Sequence, residues 1–257
     1  MMKVTLLGCG GSNGVPLLGN RWGACDPDDP RNRRRRPSVF VEADGVNILI
    51  DTTPDLRAQL LDAGVDRIDA VLYTHGHADH THGIDDVRSL ARLHGHRIPA
   101  YGEPDVMANV TARFEYIFKA SGNFQWLYPA VMEARTFDGP FEVEGREIVP
   151  FDQDHGGCRS TGFRIGPFAY STDVVGLDDD AFAALAGVEV WIVDCLRERP
   201  HPTHSHLDQT LAWIERAGVK RAILTHMTYE TNYATIAAKL PDGVEPGYDG
   251  MVIELDA

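Results

Sequence analysis

The stretch YTHGHADHTHG, residues 73–83, holds four of the chain's eleven histidines and one aspartate, directly after the apolar run IDAVLYT at 68–74. A solvated histidine-rich loop would explain the composition. A metal centre would also explain the spacing. His75 and His77 sit two apart on a turn after a strand and can point to the same side, while Asp79 and His80 follow within one further turn and can face a second ion. Borderline ions such as Zn²⁺ accept imidazole and carboxylate together. The choice therefore turns on whether further ligands appear downstream. Three candidates do: His155 follows the strand REIVPFDQD, Asp173 ends FAYSTD with a carboxylate able to bridge two ions, and His226 ends RAILT. A single histidine at a strand end is an ordinary polar residue, but three strand-end candidates beside the cluster favour the metal centre.

Outward from this stretch the chain reads as alternating strands and helices. KVTLLG is a short strand that runs into the glycine-rich loop GCGGSNGVP at 8–16. SVFVEADGVNILID is a hairpin joined at Asp44-Gly45, a strong turn signal. PDLRAQLLDAG has helical spacing with Gly64 as its stop, IDDVRSLARLHG is helical, and EPDVMANVTARFEYIFKA reads as one long helix over 103–120. A β-rich middle over about 141–173 gives way to strands VEVWIVD, KRAILTH and GMVIEL, with helices DDDAFAALAG, LDQTLAWIERAG and one near 230–240 between them. RIDAVLYTHGH and VKRAILTHMTY resemble one another, each an apolar strand ending in Thr-His. Two comparable halves, each a sheet with helices on its outer face, imply an α/β fold: a four-layer αβ/βα sandwich forming a single domain over 1–257.

Composition narrows the functional classes. With 24 Lys+Arg against 38 Asp+Glu the net charge is −14, so large nucleic acids and anionic membranes are not expected partners. No secretory signal or membrane-length apolar run is apparent, and Cys9, Cys25, Cys158 and Cys195 form no framework, so a cytoplasmic protein is expected. The arginine run RNRRRRPS at 31–38 is expected to be a solvated, mobile loop, with cover over an anionic substrate as the alternative. His82, His94 and His96 have no partner pattern and are expected at the surface or behind the ligands, and Asp85 and Asp86 suit a helix N-terminus. Tyr229 and Tyr233 are expected to pack, with a base or sugar pocket as the alternative. The aromatic segment FEYIFKASGNFQWLYP is expected to be a face of a homodimer or a pocket wall.

His75-x-His77-x-Asp79-His80, followed in order by His155, Asp173 and His226, resembles the metallo-β-lactamase-fold hydrolases over essentially the full length. Within them, GCGGSNGVP, DHTHGIDDVR at 79–88 and RPHPTHSHLDQTLAWI at 199–214 resemble the phosphodiesterase branch, that of the phosphoribosyl cyclic phosphate phosphodiesterases, which is related to the tRNA 3′-processing endonucleases. The resemblance implies that Asp51 in ILIDTT supports a metal-binding histidine from behind. It also implies an additional active-site histidine at His204, or at His206 if the register is shifted by two, with His201 a loop residue. The branch's structural-zinc cysteine cluster is reduced here to Cys25, and one cysteine cannot supply a tetrahedral site, so no third zinc is expected.

The implied activity is that of a metal-dependent hydrolase, a dinuclear phosphodiesterase acting on a small cyclic or nucleotide-like phosphodiester. His75, His77 and His155 would hold one divalent ion and Asp79, His80 and His226 the other, Zn²⁺ or Mn²⁺, with Asp173 bridging. Water acidified between the ions would supply the hydroxide. Asp79 is also available to orient that water, and His204 to clamp the phosphate or protonate the leaving group. The alternatives are a hydrolase of the same fold acting on an RNA 3′ end, a lactone or a thioester, and a non-catalytic metal-dependent carrier in cofactor biosynthesis.

Overall fold

The computed structural model of the protein describes residues 1–120 and 129–256. Its strands are β1 (Met2–Gly8), β2 (Ser38–Ala43), β3 (Val46–Ile50), β4 (Ala70–Leu72), β5 (Ile98–Gly102), β6 (Met132–Thr136), β7 (Phe141–Val143), β8 (Arg146–Asp154), β9 (Arg159–Ile165), β10 (Phe168–Ser171), β11 (Val190–Asp194), β12 (Arg221–Thr225), β13 (Val244–Pro246) and β14 (Met251–Leu255). Its helices are α1 (Leu56–Ala63), α2 (Ala78–Thr81), α3 (Val87–His94), α4 (Pro104–Arg113), α5 (Glu115–Phe118), α6 (Asp179–Ala184), α7 (Leu207–Ala217) and α8 (Tyr233–Ala237).

The strands form two seven-stranded sheets, ordered β14-β1-β2-β3-β4-β5-β6 and β13-β12-β11-β10-β9-β8-β7. In each sheet the hairpin-linked strands are antiparallel, and β3 to β6 and β10 to β13 are parallel. Parallel neighbours need crossovers, and these are the helices. The four-layer sandwich is thus the expected one.

Both faces of the first sheet are covered, which is why its strands read as continuous apolar runs. Ile48 and Ile50 point into the core between the sheets, and Leu49 points outward against α1 and α3. Val39 and Val41 flank the outward Phe40 in the same way. The β2–β3 turn has positive φ at both Asp44 (48°) and Gly45 (86°), the primed geometry that matches strand twist. Gly64 and Gly218 close α1 and α7 in the left-handed conformation.

Two expectations are corrected. The single helix over 103–120 is two helices, because Phe114 leaves helical geometry at φ −123°, ψ 41°. Its ring meets His82 edge-on, while Arg113 turns its guanidinium toward Gly76 O and His82. The arginine run is not a free loop. Arg31 pairs with Asp29, Arg35 with Asp62 and Arg36 with Asp55, and Arg34 is buried. Of the aromatic segment at 114–129, residues 121–128 lie outside the described residues, and with them the dimer-face expectation. Among the described residues no helix is long and apolar enough to cross a membrane.

The end of the histidine stretch is clamped by backbone. Thr52 N donates to His80 O at 2.8 Å and Gly83 N to Thr52 O at 2.9 Å. A Cβ on Gly83 would lie 1.9 Å from Thr53 O, and neither backbone segment can yield without moving α2. Gly83→Ala should therefore cost about 2–3 kcal/mol and lower Tm by roughly 5–10 °C. Gly157→Ala, where a Cβ meets nothing within 4 Å, should leave Tm nearly unchanged. Thermal melts of the two variants check this.

Candidate metal centre

Each element of the centre arrives at the C-terminal end of a strand. β4 delivers His75 and His77 on its following turn, and α2 carries Asp79 and His80 one turn later. His155 follows β8, Asp173 follows β10 and His226 follows β12. The crossover geometry of the parallel strands forces these ends to one edge of the sandwich, where loops converge. Asp51, Asp173 and His226, each just beyond a parallel strand, have positive φ of 64°, 53° and 59°. Such conformations cost of order 1–3 kcal/mol for non-glycine residues and persist where surroundings enforce them. Here the enforcement is visible. Ser38 Oγ donates to Ile50 O and Asp51 O, both at 2.9 Å, and Ser160 Oγ donates to Asp173 O at 2.8 Å in the equivalent place of the other sheet.

The structure brings all seven sequence-selected residues together. His75, His77, His155 and Asp173 form one group with ligating atoms within 4.8 Å, and Asp79, His80, Asp173 and His226 form a second. Asp173 belongs to both. Its Oδ1 lies 3.2 Å from His80 Nε2 and 3.2 Å from His226 Nε2. Its Oδ2 lies 3.4 Å from His155 Nε2 and 3.7 Å from His75 Nε2. His77 is exposed on the rim, and the others are buried.

Whether these residues fit metal ions can be tested on their unmatched atoms. His75 Nε2, His80 Nε2, His226 Nε2 and Asp79 Oδ2 are buried without hydrogen-bond partners, a costly condition unless something else meets them. Donors about 2.0–2.2 Å from a shared tetrahedral ion stand about 3.4 Å from one another, which is the spacing observed. The outer nitrogens of His75, His80 and His155 already have partners. His80 Nδ1 donates to Asp51 Oδ2 at 2.6 Å and His155 Nδ1 to Thr203 O at 2.8 Å. His75 Nδ1 donates to Thr74 Oγ1 at 3.1 Å, which in turn donates to Asp51 Oδ2 at 2.7 Å. Nε2 of these three rings is thereby turned inward, the arrangement that orients imidazole ligands. The donor set suits divalent ions.

His204 is buried beside the centre, its Nδ1 3.2 Å from Asp194 Oδ2 and its Nε2 4.0 Å from Asp173 Oδ2, whereas His206 is the N-cap of α7. Asp194, at the end of β11, was not expected. It is fully buried, accepts from Val174 N at 3.0 Å and has Oδ1 3.9 Å from His226 Nδ1. Its signal was available in VEVWIVD, which ends in aspartate after an apolar strand as NILID does. Tyr233 packs beneath Arg31, and Tyr229 packs on Gly23 while its ring also lines a cavity of ≈ 250 Å³ together with His201, His204 and the glycine-rich loop. Cys25 meets backbone carbonyls of Thr228, Tyr229 and Thr231. His82, His94 and His96 are exposed.

Without ions the cluster balances its charge with protons. Burial opposes ionisation of Asp173, but the imidazoles of His226, His80 and His75 outweigh it and hold the carboxyl well below its usual range. Burial likewise opposes charge on His80, yet Asp173, Asp79 and Asp51 hold it well above an ordinary imidazole, and His226 is raised to about 9 for similar reasons. Burial lowers His75 and His155. At pH 7 a divalent ion must displace protons from the raised histidines. Adding Zn²⁺ in weak buffer at pH 7 should release protons, fewer as the pH rises through about 9, read by an indicator dye. Uptake of Zn²⁺ with no proton release at pH 7 would contradict this balance.

Among protein families, the beta-lactamase superfamily domain matches residues 46–227. The crystal structure of a diphosphatase from the PhnP family superposes with a TM-score of 0.91 at 36% identity, over 100% of this chain and 98% of that one. An octanoyltransferase of Porphyromonas gingivalis is 32% identical over 99% of this chain but only 52% of its own length, so the chain spans about half of that relative. A ribonuclease Z of Mycobacterium avium is 27% identical over 100% of this chain and 99% of its own.

Proposed function

The chain belongs to the beta-lactamase superfamily, and from that membership we propose that it is a metal-dependent hydrolase of phosphoric esters, with a dinuclear centre acting on a small cyclic or nucleotide-like phosphodiester. The observation that carries the proposal is the position of Asp173, one oxygen facing His80 and His226 and the other facing His75 and His155. On this reading His75, His77 and His155 would hold one ion, Asp79, His80 and His226 would hold the other, and Asp173 would contribute to both. Zn²⁺ and Mn²⁺ both suit nitrogen and carboxylate donors. A pair of divalent ions supplies acidification of water toward neutral pH and charge neutralisation at phosphoryl oxygens.

The remaining tasks fall to the chain's own groups. Asp194 fixes the His204 tautomer by accepting from Nδ1, so Nε2 faces the centre and can carry a proton to a departing oxygen. Asp79 Oδ2, 3.4 Å from His80 Nε2, remains directed inward, where it can also orient water. Asp51, through Thr74 N and Thr74 Oγ1, keeps the turn before His75 from relaxing.

The diphosphatase neighbour supports a second reading, hydrolysis of a phosphoanhydride with the same groups in the same roles. Bis(p-nitrophenyl) phosphate and a diphosphate-bridged dinucleotide, offered in parallel with Zn²⁺ or Mn²⁺, separate the two. Turnover should stop on chelation and return with metal. Turnover of acyl thioesters alone, or none that depends on metal, would refute both readings.

Asp173→Ala should lower bound metal from two equivalents to one or fewer by elemental analysis, and two tightly held ions in that variant would contradict the joining role. His204→Ala should reduce kcat by about 10²–10⁴-fold with metal content retained. Loss of metal instead would make His204 a ligand.

A further inference from the structure

The cavity beside His204 has one rigid aromatic wall. Tyr229 is pressed against Gly23, whose backbone is left-handed at φ 61° and where a Cβ would stand 2.2 Å from Tyr229 Cδ2. Ala24 N donates to Tyr229 O at 2.9 Å. Beneath this contact the buried Arg34 donates from Nη1 to Thr228 O at 3.1 Å, fixing the preceding peptide. The ring is therefore backed by Gly23 along one edge, with the backbone fixed at Tyr229 O and at the preceding carbonyl.

Across the cavity, Ser12 and Asn13 of the glycine-rich loop are exposed, and neither side chain hydrogen-bonds within the described residues. The charged group in the wall is compensated: Glu230 accepts from Arg197 Nη1 at 3.3 Å and from Arg199 Nη2 at 2.6 Å. Arg197 and Glu230 line the cavity, and Arg199 reaches the same carboxylate from outside the lining. At ≈ 250 Å³ the space is just below the about 300–1,000 Å³ common for small-molecule sites, a size for one ring system with its sugar and not for a polymer.

We propose that Tyr229 is a specificity-determining residue, stacking the planar base of a mononucleotide-type ligand whose phosphate lies at the His204 end of the cavity. The sugar hydroxyls then face Ser12 and Asn13. A prepositioned aromatic face contributes to binding because no rotamer freedom is lost when the base arrives. The inference rests on the phosphoric-ester reading above and names the class of substrate that site selects.

The test is calorimetric binding of adenosine 5′-monophosphate and ribose 5-phosphate to the metal-loaded chain. The nucleotide should bind about tenfold more tightly than the sugar phosphate. Tyr229→Ala should bring the ratio of the two Kd values to about one, and Tyr229→Phe should preserve it. Equal Kd values in the native protein, or an undiminished ratio in Tyr229→Ala, overturn the stacking role while leaving the phosphoric-ester reading intact. Failure of both ligands to bind the native protein overturns both.

Discussion

A carboxylate shared between two sets of imidazoles governs the architecture of this protein. Asp173 is almost completely inaccessible, and an isolated charge at that depth would be expelled or neutralised. It stays ionised because His80 and His226, whose affinity for a proton is raised, each place Nε2 3.2 Å from its Oδ1. That surround cannot be assembled from one segment. Residues 75 and 80 come from the first sheet, and 155, 173 and 226 from the second. The sandwich is what lets two sheets contribute to a single buried charge cluster, and Thr161 N donating to Thr74 O at 2.8 Å ties them together beside it.

The same local device is used in both sheets. A parallel strand ends, a residue one or two positions on takes a left-handed backbone, and a serine on the neighbouring antiparallel strand braces its carbonyl. In one sheet this places Asp51 and in the other Asp173, although the first carboxylate works behind the imidazoles and the second in front of them. Equivalent backbone positions thus acquire different chemistry from what stands opposite. Asp51 meets Nδ1 of His80, and Asp173 meets its Nε2.

The arginine run shows how a surface motif can be absorbed into the fold. Arg34 is 2% exposed, and its Nε finds no partner. A guanidinium is not neutralised by burial, so the arrangement costs stability unless it achieves something. What it achieves is cross-linking: Arg34 reaches Thr228 O and, through Asn32, the neighbourhood of Tyr233 N, where Asn32 Oδ1 accepts at 2.8 Å. Strap 20–36 and loop 227–233 become one body, and the wall of the cavity beside His204 is made rigid by it.

The layer order, the hairpins and the ligand-bearing strand ends were legible because they rest on short-range signals: alternation, Asp-Gly turns, helix stops, and histidines at fixed spacing. Phe114 was not, since no glycine or proline marks the break there and the turn follows from what Arg113 and the ring contact. Asp194 was hidden for a different reason. An aspartate ending an apolar strand is common, and its importance comes from His204, Val174 and His226 arriving around it from other parts of the chain. By itself the sequence determined which side chains could bind metal and that they lie at strand ends. Tertiary structure decided that Asp173 has an oxygen for each group, that His204 and not His206 faces inward, and that Arg34 is buried. Those outcomes depend on distances between segments far apart in the chain, which only the packing of one sheet on the other sets.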